Sequence, residues 1–413
     1  MAIKNLHHLG VPCISKIKQK DSGKVKDIES NNLNRGVILR TEPNGGVLTT
    51  PGLYASFLWI DSETIDLIKK ENFSSLELND LYMLSETDCL SKSPSSAENF
   101  RVDINGLPNQ VLFEVTSDCN CDCLSCYHKT DLNLGQPETR DLIRRVDILA
   151  NLGLSLFEVT GGEPFLRFDL TTILDEIKFR GRNFYIVTNG SLLKFCKDKT
   201  IETLRKGEGL AISIDGFGEK HDSIRKLPGL FSDIEEGLKT LEGSGVRIYF
   251  VSTIGKHNYR DIPALLDFAS KYKAVLHLRP AIRTGSALEN KLISENIHNF
   301  LAQYLSHPSA KNGFLATKKE IPESKQYGCG IRKRISVDSF GNLFPCVMDR
   351  SGKLERIESY SPETLVKTLE QEARRYLNSS PLCRECEINK EELVCGGFCR
   401  FSKSYQNGTA QKL

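Results

Sequence analysis

The sequence predicts an α/β fold: a parallel sheet bent into an open or partial six-unit βα barrel, flanked by smaller domains. Three observations carry this. From about residue 110, short apolar runs alternate with amphipathic stretches at the pace of βα units. About six such units fit before residue 285, too few for the usual closed eight-fold barrel. The thirteen cysteines are also unevenly placed, four of them within 119–126 and six within 329–399. In such sheets chemistry sits at the carboxyl ends of the strands, and the first cysteine group follows the first strand directly.

In chain order, the first 35 residues are polar and poorly periodic. Residues 36–40 and 46–50 are β-like runs joined by Glu42-Pro-Asn-Gly-Gly46, a hairpin signal. The run 54–60 follows, then helices around 62–70 and 76–84. The polar stretch 91–98 (SKSPSSAE) reads as a linker. Strands are expected at 110–115, 154–159, 183–187, 210–214, 247–252 and 274–278, with helices at 139–152, 171–180, 231–241 and 259–273. The expected domains are therefore an N-terminal unit with its linker over 1–100, a barrel over 101–300 and a cysteine-rich domain over 301–413.

Composition excludes several function classes. Lys+Arg (55) against Asp+Glu (53) gives a net charge of +2, no electrostatic case for a nucleic-acid partner. With 39% hydrophobic and 26% charged residues, and a mean hydropathy of −0.31, the chain reads as globular. No apolar run reaches the roughly 18–20 residues of a membrane helix, and the first residues carry no signal-peptide pattern. A cytoplasmic protein without membrane partners is expected. Cysteines in that setting point to metal or redox chemistry rather than a disulfide framework. Cys13, Cys89 and Cys196 read as structural thiols.

Cys119, Cys123 and Cys126 form a C-x3-C-x2-C pattern. Three thiolates so close in sequence can wrap an iron–sulfur cube and leave its fourth iron open to a small chelating molecule. A structural zinc site with His128 as fourth ligand is the alternative; Cys121 reads as a bystander. The second strand ends in Thr160-Gly161-Gly162-Glu163-Pro164, where glycines admit a close ligand and the carboxylate can accept from an ammonium group. The third ends in Thr188-Asn189-Gly190, the fourth in Ser213-Ile214-Asp215-Gly216, and His221 to Arg225 follow. Turn chemistry or helix capping is the alternative for Asn189 and Asp215.

Together these motifs resemble the radical S-adenosylmethionine (SAM) superfamily over about 110–285. The resemblance implies a 4Fe–4S cluster on Cys119, Cys123 and Cys126. It also implies SAM held by Gly161, Gly162 and Glu163 at its amino end, by Asn189 and by Ser213 at the ribose, and by Arg225 at the carboxylate. Tyr127 would contact adenine or cluster. Ser125 stands where the family usually has an aromatic residue.

The C-terminal cysteines resemble a SPASM domain, which implies auxiliary 4Fe–4S clusters. Cys329, Cys346 and Cys399 would hold one, and Cys383, Cys386 and Cys395 the other. Eight residues separate Cys386 from Cys395, more than is common there, and the usual outermost ligands are missing on both sides. Two clusters are expected, one being the alternative, with a zinc ribbon as the reading outside the family.

Residues 35–90 resemble the small winged-helix-like α+β domain that captures a leader peptide by strand addition; a dimerisation or packing domain is the alternative. The combined resemblance implies a maturase that abstracts hydrogen from a ribosomally made peptide and forms a C–C, C–S or related crosslink. Its partners would be a precursor peptide with its leader and a flavodoxin- or ferredoxin-type electron donor. A tetrapyrrole, quinone-cofactor or sulfatase-type maturation enzyme shares the architecture, although Val347 stands where the sulfatase type has aspartate and Asp349 is displaced by two residues. A non-catalytic iron–sulfur or zinc scaffold is the remaining alternative.

Overall fold

The computed structural model describes residues 38–42, 45–49, 57–60, 62–70, 75, 101–103, 108, 110–128, 133–282, 284–293 and 334–378. The helix expected at 76–84 and Cys13, Cys89, Cys329, Cys383, Cys386, Cys395 and Cys399 lie outside the described residues.

All six expected barrel strands are present: β5 (Gln110–Thr116), β6 (Leu156–Gly161), β7 (Asn183–Thr188), β8 (Gly209–Ser213), β9 (Ile248–Ile254) and β10 (Val275–Pro280). Each pairs in parallel with the next, so sequence order is spatial order. Helices cross between them, among them α2 (Thr139–Asn151), α3 (Leu170–Phe179), α4 (Asp198–Arg205), α5 (Gly218–Arg225), α6 (Leu230–Thr240) and α7 (Ile262–Lys271). In α2 the buried positions Leu142, Val146, Leu149 and Ala150 make the apolar stripe that a 3.6-residue period requires. Arg145 interrupts that stripe and is just as buried. Its guanidinium donates to the Ser339 and Phe340 carbonyls and pairs with Glu358 at 3.0 Å, fastening the C-terminal segment to the barrel.

Strand alternation gives the sheet two faces. Val111, Phe113, Phe157, Val159, Phe184, Ile186 and Ile212 pack with helix residues such as Leu149 and Ile173 in one core. Leu156, Tyr185, Ala211 and Val251 form a separate cluster on the opposite, inner face. By the same parity Glu114, Glu158, Ser213 and His277, all buried, belong to the inner face.

Two boundaries differ from expectation. The sheet continues past β5 with β11 (Arg334–Val337), parallel to β5, and β12 (Leu343–Phe344), antiparallel to β11. Asp338 turns this hairpin: its carboxylate accepts from the Phe340 and Asn342 amides. Residues beyond 300 thus complete the barrel sheet. Near the other end, β4 (Arg101–Asp103) joins the N-terminal sheet rather than the barrel. That sheet runs in the order β3 (Phe57–Ile60), β2 (Gly45–Thr49), β1 (Ile38–Glu42), β4. The expected hairpin is β1–β2, and helix α1 (Ser62–Lys69) follows β3. Among the described residues no helix is long and apolar enough to cross a membrane.

Candidate active site

The loop after β5 carries Cys119, Cys121, Cys123 and Cys126, and its shape is imposed by the chain around it. Gly162 N donates to Thr116 O at 2.9 Å and Glu163 N to Asp118 O at 2.8 Å. Leu124 N donates to Ile224 O at 2.9 Å, and Ser286 N to Cys126 O at 2.8 Å. Any Cβ on Gly161, which sits at φ +132°, would fall 2.1 Å from Thr116 O, and one on Gly162 would fall 2.1 Å from Asp118 O. What approaches these glycines is the backbone of the cysteine loop, where the sequence had suggested a ligand.

Glu163 is fully buried, and its carboxylate accepts from Thr188 Oγ1 (2.7 Å), Asn189 N (2.7 Å) and Phe165 N (3.1 Å). Burial pushes its carboxyl up to about 7 against those three bonds. It therefore ties the end of β6 to the end of β7. Asn189 continues the tie, donating Nδ2 to Asn120 Oδ1 (2.8 Å) and Cys121 Sγ (3.3 Å). Its Oδ1 accepts from Ser191 N at 2.9 Å, so it shapes its own turn as well as gripping the loop.

The thiols are unequal. A hydrogen bond from Cys121, aided by the Arg225 guanidinium, brings Cys123 down to about 6. Cys119 is also lowered, first by Cys121, whereas burial raises Cys126 to about 12. Cys121, the donor to both, is raised. Arg225 lies with Nη1 3.7 Å from Cys123 Sγ and Nη2 2.7 Å from Asp215 Oδ2. Its Nε is buried without a hydrogen-bond partner among the described residues. Asp215 is a hub: its Oδ1 accepts from Thr253 N at 2.8 Å, and its own amide donates to His221 Nδ1 at 3.1 Å. Ser213 ends β8 on the inner face. Tyr127 packs on His128 with ring centroids 4.3 Å apart, and burial, with Glu114 and Glu158 nearby, holds its hydroxyl well above the ordinary range.

The structure thus brings Cys119, Cys123, Cys126, Gly161, Gly162, Glu163, Asn189 and Arg225 into one connected assembly. These residues fit an iron–sulfur cluster with an exogenous chelator: three soft thiol donors on one short loop, and beside them a buried guanidinium with an unused N–H. Among the described residues no three His, Cys, Asp or Glu side chains converge on a point for one metal ion.

Cys346 is half-buried against Ala373 and Tyr376. Asp349 is buried, with its carboxylate engaged by Ser351 Oγ at 2.6 Å and by the Tyr376 hydroxyl, so it braces its own turn. Sequence reasoning missed Arg167, which is buried and pairs with Asp169 through two nitrogens (2.9 and 2.7 Å). It also donates to the Val115 and Pro137 carbonyls, stapling β5 to the segment before α2. It missed Glu114 too, a charge inside an apolar strand, which was the available signal.

Residues 113–269 match the model of the radical SAM superfamily. Fe-coproporphyrin III synthase of Methanosarcina barkeri is 29% identical over 231 residues, 51% of this chain and 57% of that protein. The antilisterial bacteriocin subtilosin biosynthesis protein AlbA of Bacillus subtilis is 27% identical over 251 residues, 59% of this chain and 55% of that protein. The chain thus spans little more than half the length of these two curated relatives. Streptococcus suis SuiB bound to S-adenosylmethionine shares the fold, with a TM-score of 0.61 at 16% identity over 90% of this chain and 96% of that one. SuiB bound to its precursor peptide SuiA aligns over 82% of this chain and 88% of that one, at 14% identity and a TM-score of 0.58.

Proposed function

We propose, from the match of residues 113–269 to the radical SAM superfamily, that the chain is a SAM-dependent enzyme that modifies a ribosomally made precursor peptide. The observation that carries this reading is the extent of the fold likeness to SuiB, which reaches beyond the barrel to 90% of this chain. SuiB is known bound to a precursor peptide, and the relative AlbA is a bacteriocin biosynthesis protein. The four-stranded sheet ahead of the barrel adds support. Its β3 is an edge strand, free among the described residues to receive an extended leader.

Cys119, Cys123 and Cys126 would hold a 4Fe–4S cluster, which with SAM supplies one-electron cleavage to methionine and a 5′-deoxyadenosyl radical. The chain's own part is positioning. Arg225 would offer its unused Nε–H to the methionine carboxylate while Asp215 keeps the guanidinium aimed. Gly161, Gly162 and Glu163 set the floor of the cysteine loop, and Asn189, Ser213 and Tyr127 would face the nucleoside. Buried inner-face residues beneath the loop keep bulk water from the reacting carbon. Cys329, Cys346 and Cys399, and Cys383, Cys386 and Cys395, would hold two auxiliary clusters, with a flavodoxin- or ferredoxin-type donor supplying electrons.

A second reading is favoured by one observation, the 29% identity to Fe-coproporphyrin III synthase: a tetrapyrrole substrate. One experiment separates the two. The anaerobically reconstituted protein is given SAM and dithionite with either the porphyrin-type precursor from which Fe-coproporphyrin III is made or short peptides encoded beside its gene. 5′-Deoxyadenosine above the substrate-free rate, with a mass change in a peptide, is the expected result. Turnover of the porphyrin with every peptide unchanged would overturn it.

A further inference from the structure

The turn that carries Cys346 is tied into the barrel at a point none of the motifs above includes. Four residues past Cys346, Arg350 reaches the inner face of β5. Its Nη1 lies 2.8 Å from Glu114 Oε1 and its Nη2 3.4 Å from Oε2. The guanidinium also covers the Phe344 ring, 4.2 Å from its centroid. Glu114 is only 3% exposed. Its Oε1 also stands 2.8 Å from Nε2 of buried His128, a close contact rather than an aligned hydrogen bond. His128 is two residues past Cys126. A single buried carboxylate thus touches both the segment leaving the first cysteine loop and the turn carrying Cys346.

The same turn is held from the far side of the open barrel. Thr284, beyond β10, donates Oγ1 to Met348 O at 3.2 Å. The turn is stiff within itself: Asp349 N donates to Cys346 O at 3.1 Å and Gly352 N to Asp349 O at 3.1 Å. A stiff turn fastened at both ends moves as a body, so its seating depends on the fastenings. Buried ion pairs add little stability compared with apolar side chains of similar volume, and their best-attested use is to select one arrangement among several.

We propose that Arg350 is a positioning residue: through Glu114 it seats the Cys346 turn over the inner face of the barrel and couples that seating to the Cys126–His128 segment. The clasp stands on the geometry alone. Its consequence, that the pair fixes the spacing between the first cluster and whatever Cys346 ligates, rests on the reading of Cys346 given above.

The test is hydrogen–deuterium exchange on the reconstituted full-length protein, following the amides of Asp349 and Gly352 in the turn and of Leu124 and Cys126 in the loop. Arg350→Gln should speed exchange in the turn at least tenfold. It should speed exchange in the loop as well, because the carboxylate shared with His128 loses its partner. Arg350→Lys should restore part of the protection at both. The double variant Glu114→Leu/Arg350→Met leaves no unpaired buried charge, so it covers the case in which the single variant fails to fold. It should melt near the wild-type temperature while both segments still exchange fast, which a purely stabilising role would not produce. Unchanged exchange in the turn, or a loosened turn beside an unchanged loop, in a folded variant would overturn the proposal. Iron analysis of Cys346→Ala reads the other assumption separately: full iron there would remove the auxiliary-cluster reading and leave the clasp intact.

Discussion

Replacing Gly162 with alanine tests whether the glycines of the β6 turn serve the cysteine loop. Gly162 does not have a left-handed backbone, so alanine can adopt its conformation and the effect is purely one of space. The new Cβ would lie 2.1 Å from Asp118 O and 2.9 Å from Ser117 O. Relief requires the Asp118 carbonyl to recoil by about 1 Å, and overpacking of that kind costs about 1–3 kcal/mol. The bond from Glu163 N to Asp118 O, 2.8 Å long, lies in the path of that movement, and losing it adds about 0.5–1.5 kcal/mol. A total of about 2–4 kcal/mol is expected, and because Cys119 follows Asp118 the first thiol shifts as well. Gly181→Ala is the control: it has φ +68° and nothing within 4 Å of its Cβ, so only the left-handed cost of about 1–2 kcal/mol applies. The assay is denaturation of the apoprotein together with iron per chain after anaerobic reconstitution. Gly162→Ala should lose both stability and about four irons, and Gly181→Ala only stability. A Gly162→Ala protein with a wild-type midpoint and full iron would refute the packing argument and return these glycines to ligand approach.

The remaining expectations concern the cluster, SAM and pH. Replacing Cys119, Cys123 and Cys126 together with alanine should remove about four irons and abolish 5′-deoxyadenosine formation under dithionite; about eight irons retained would count two auxiliary cubes, about four only one. Arg225→Ala should weaken SAM by about 1.5–3 kcal/mol in calorimetry with cluster content intact, the scale of a hydrogen bond to a charged group. Burial, reinforced by Arg225 and opposed by Asp215 and Asp222, holds His221 down at about 4 against an ordinary 6.5. The unfolded chain then binds this proton before the native one does, so stability is complete above pH 6.5 and falls by about 3 kcal/mol as pH drops towards 4. Denaturation midpoints across that range should show the decline, and His221→Asn should flatten its share of it.

The barrel was legible because strands buried on both faces read as near-continuous apolar runs between amphipathic helices. Within those runs, the charged residues Glu114 and Glu158 were the exceptions worth attention, and both turn to the inner face. The hairpin of β11 and β12 escaped because it is four and two residues long, and its Asp338–Asn342 turn sits where cysteine spacing drew the eye. The three residues of β4 carry no period at all. No local pattern could pair Glu114 with Arg350, which lie 236 positions apart. The structure gathers the cysteine loop, the β6 turn, Asn189 and Arg225 and gives the two glycines a packing role against that loop. Spacing identifies which residues meet and is silent on which of them meets the ligand and which meets the loop.

That distinction bears on how the site works. The ends of β6, β7 and β10 each contribute a bond to the cysteine loop, from Glu163 after β6, through Asn189 after β7, to Ser286 after β10. A loop with so little regular structure would otherwise lose its order to conformational entropy at about 1–2 kcal/mol per residue. The thiols are therefore positioned before any ligand arrives. It follows that a ligand at Arg225 exchanges contacts as well as adding them. Its guanidinium already serves Asp215 and Cys123, and its Nε is buried without a hydrogen-bond partner among the described residues. Removing the side chain would strand Asp215, a fully buried carboxylate, so alanine there measures the site's framework together with its affinity. Arg225→Lys keeps a charge for Asp215 and forfeits the Nε–H. If that N–H is the ligand's contact, lysine should weaken SAM nearly as much as alanine does while keeping the wild-type midpoint of denaturation. Equal affinity in the lysine and wild-type proteins would assign the guanidinium to Asp215 and Cys123 alone.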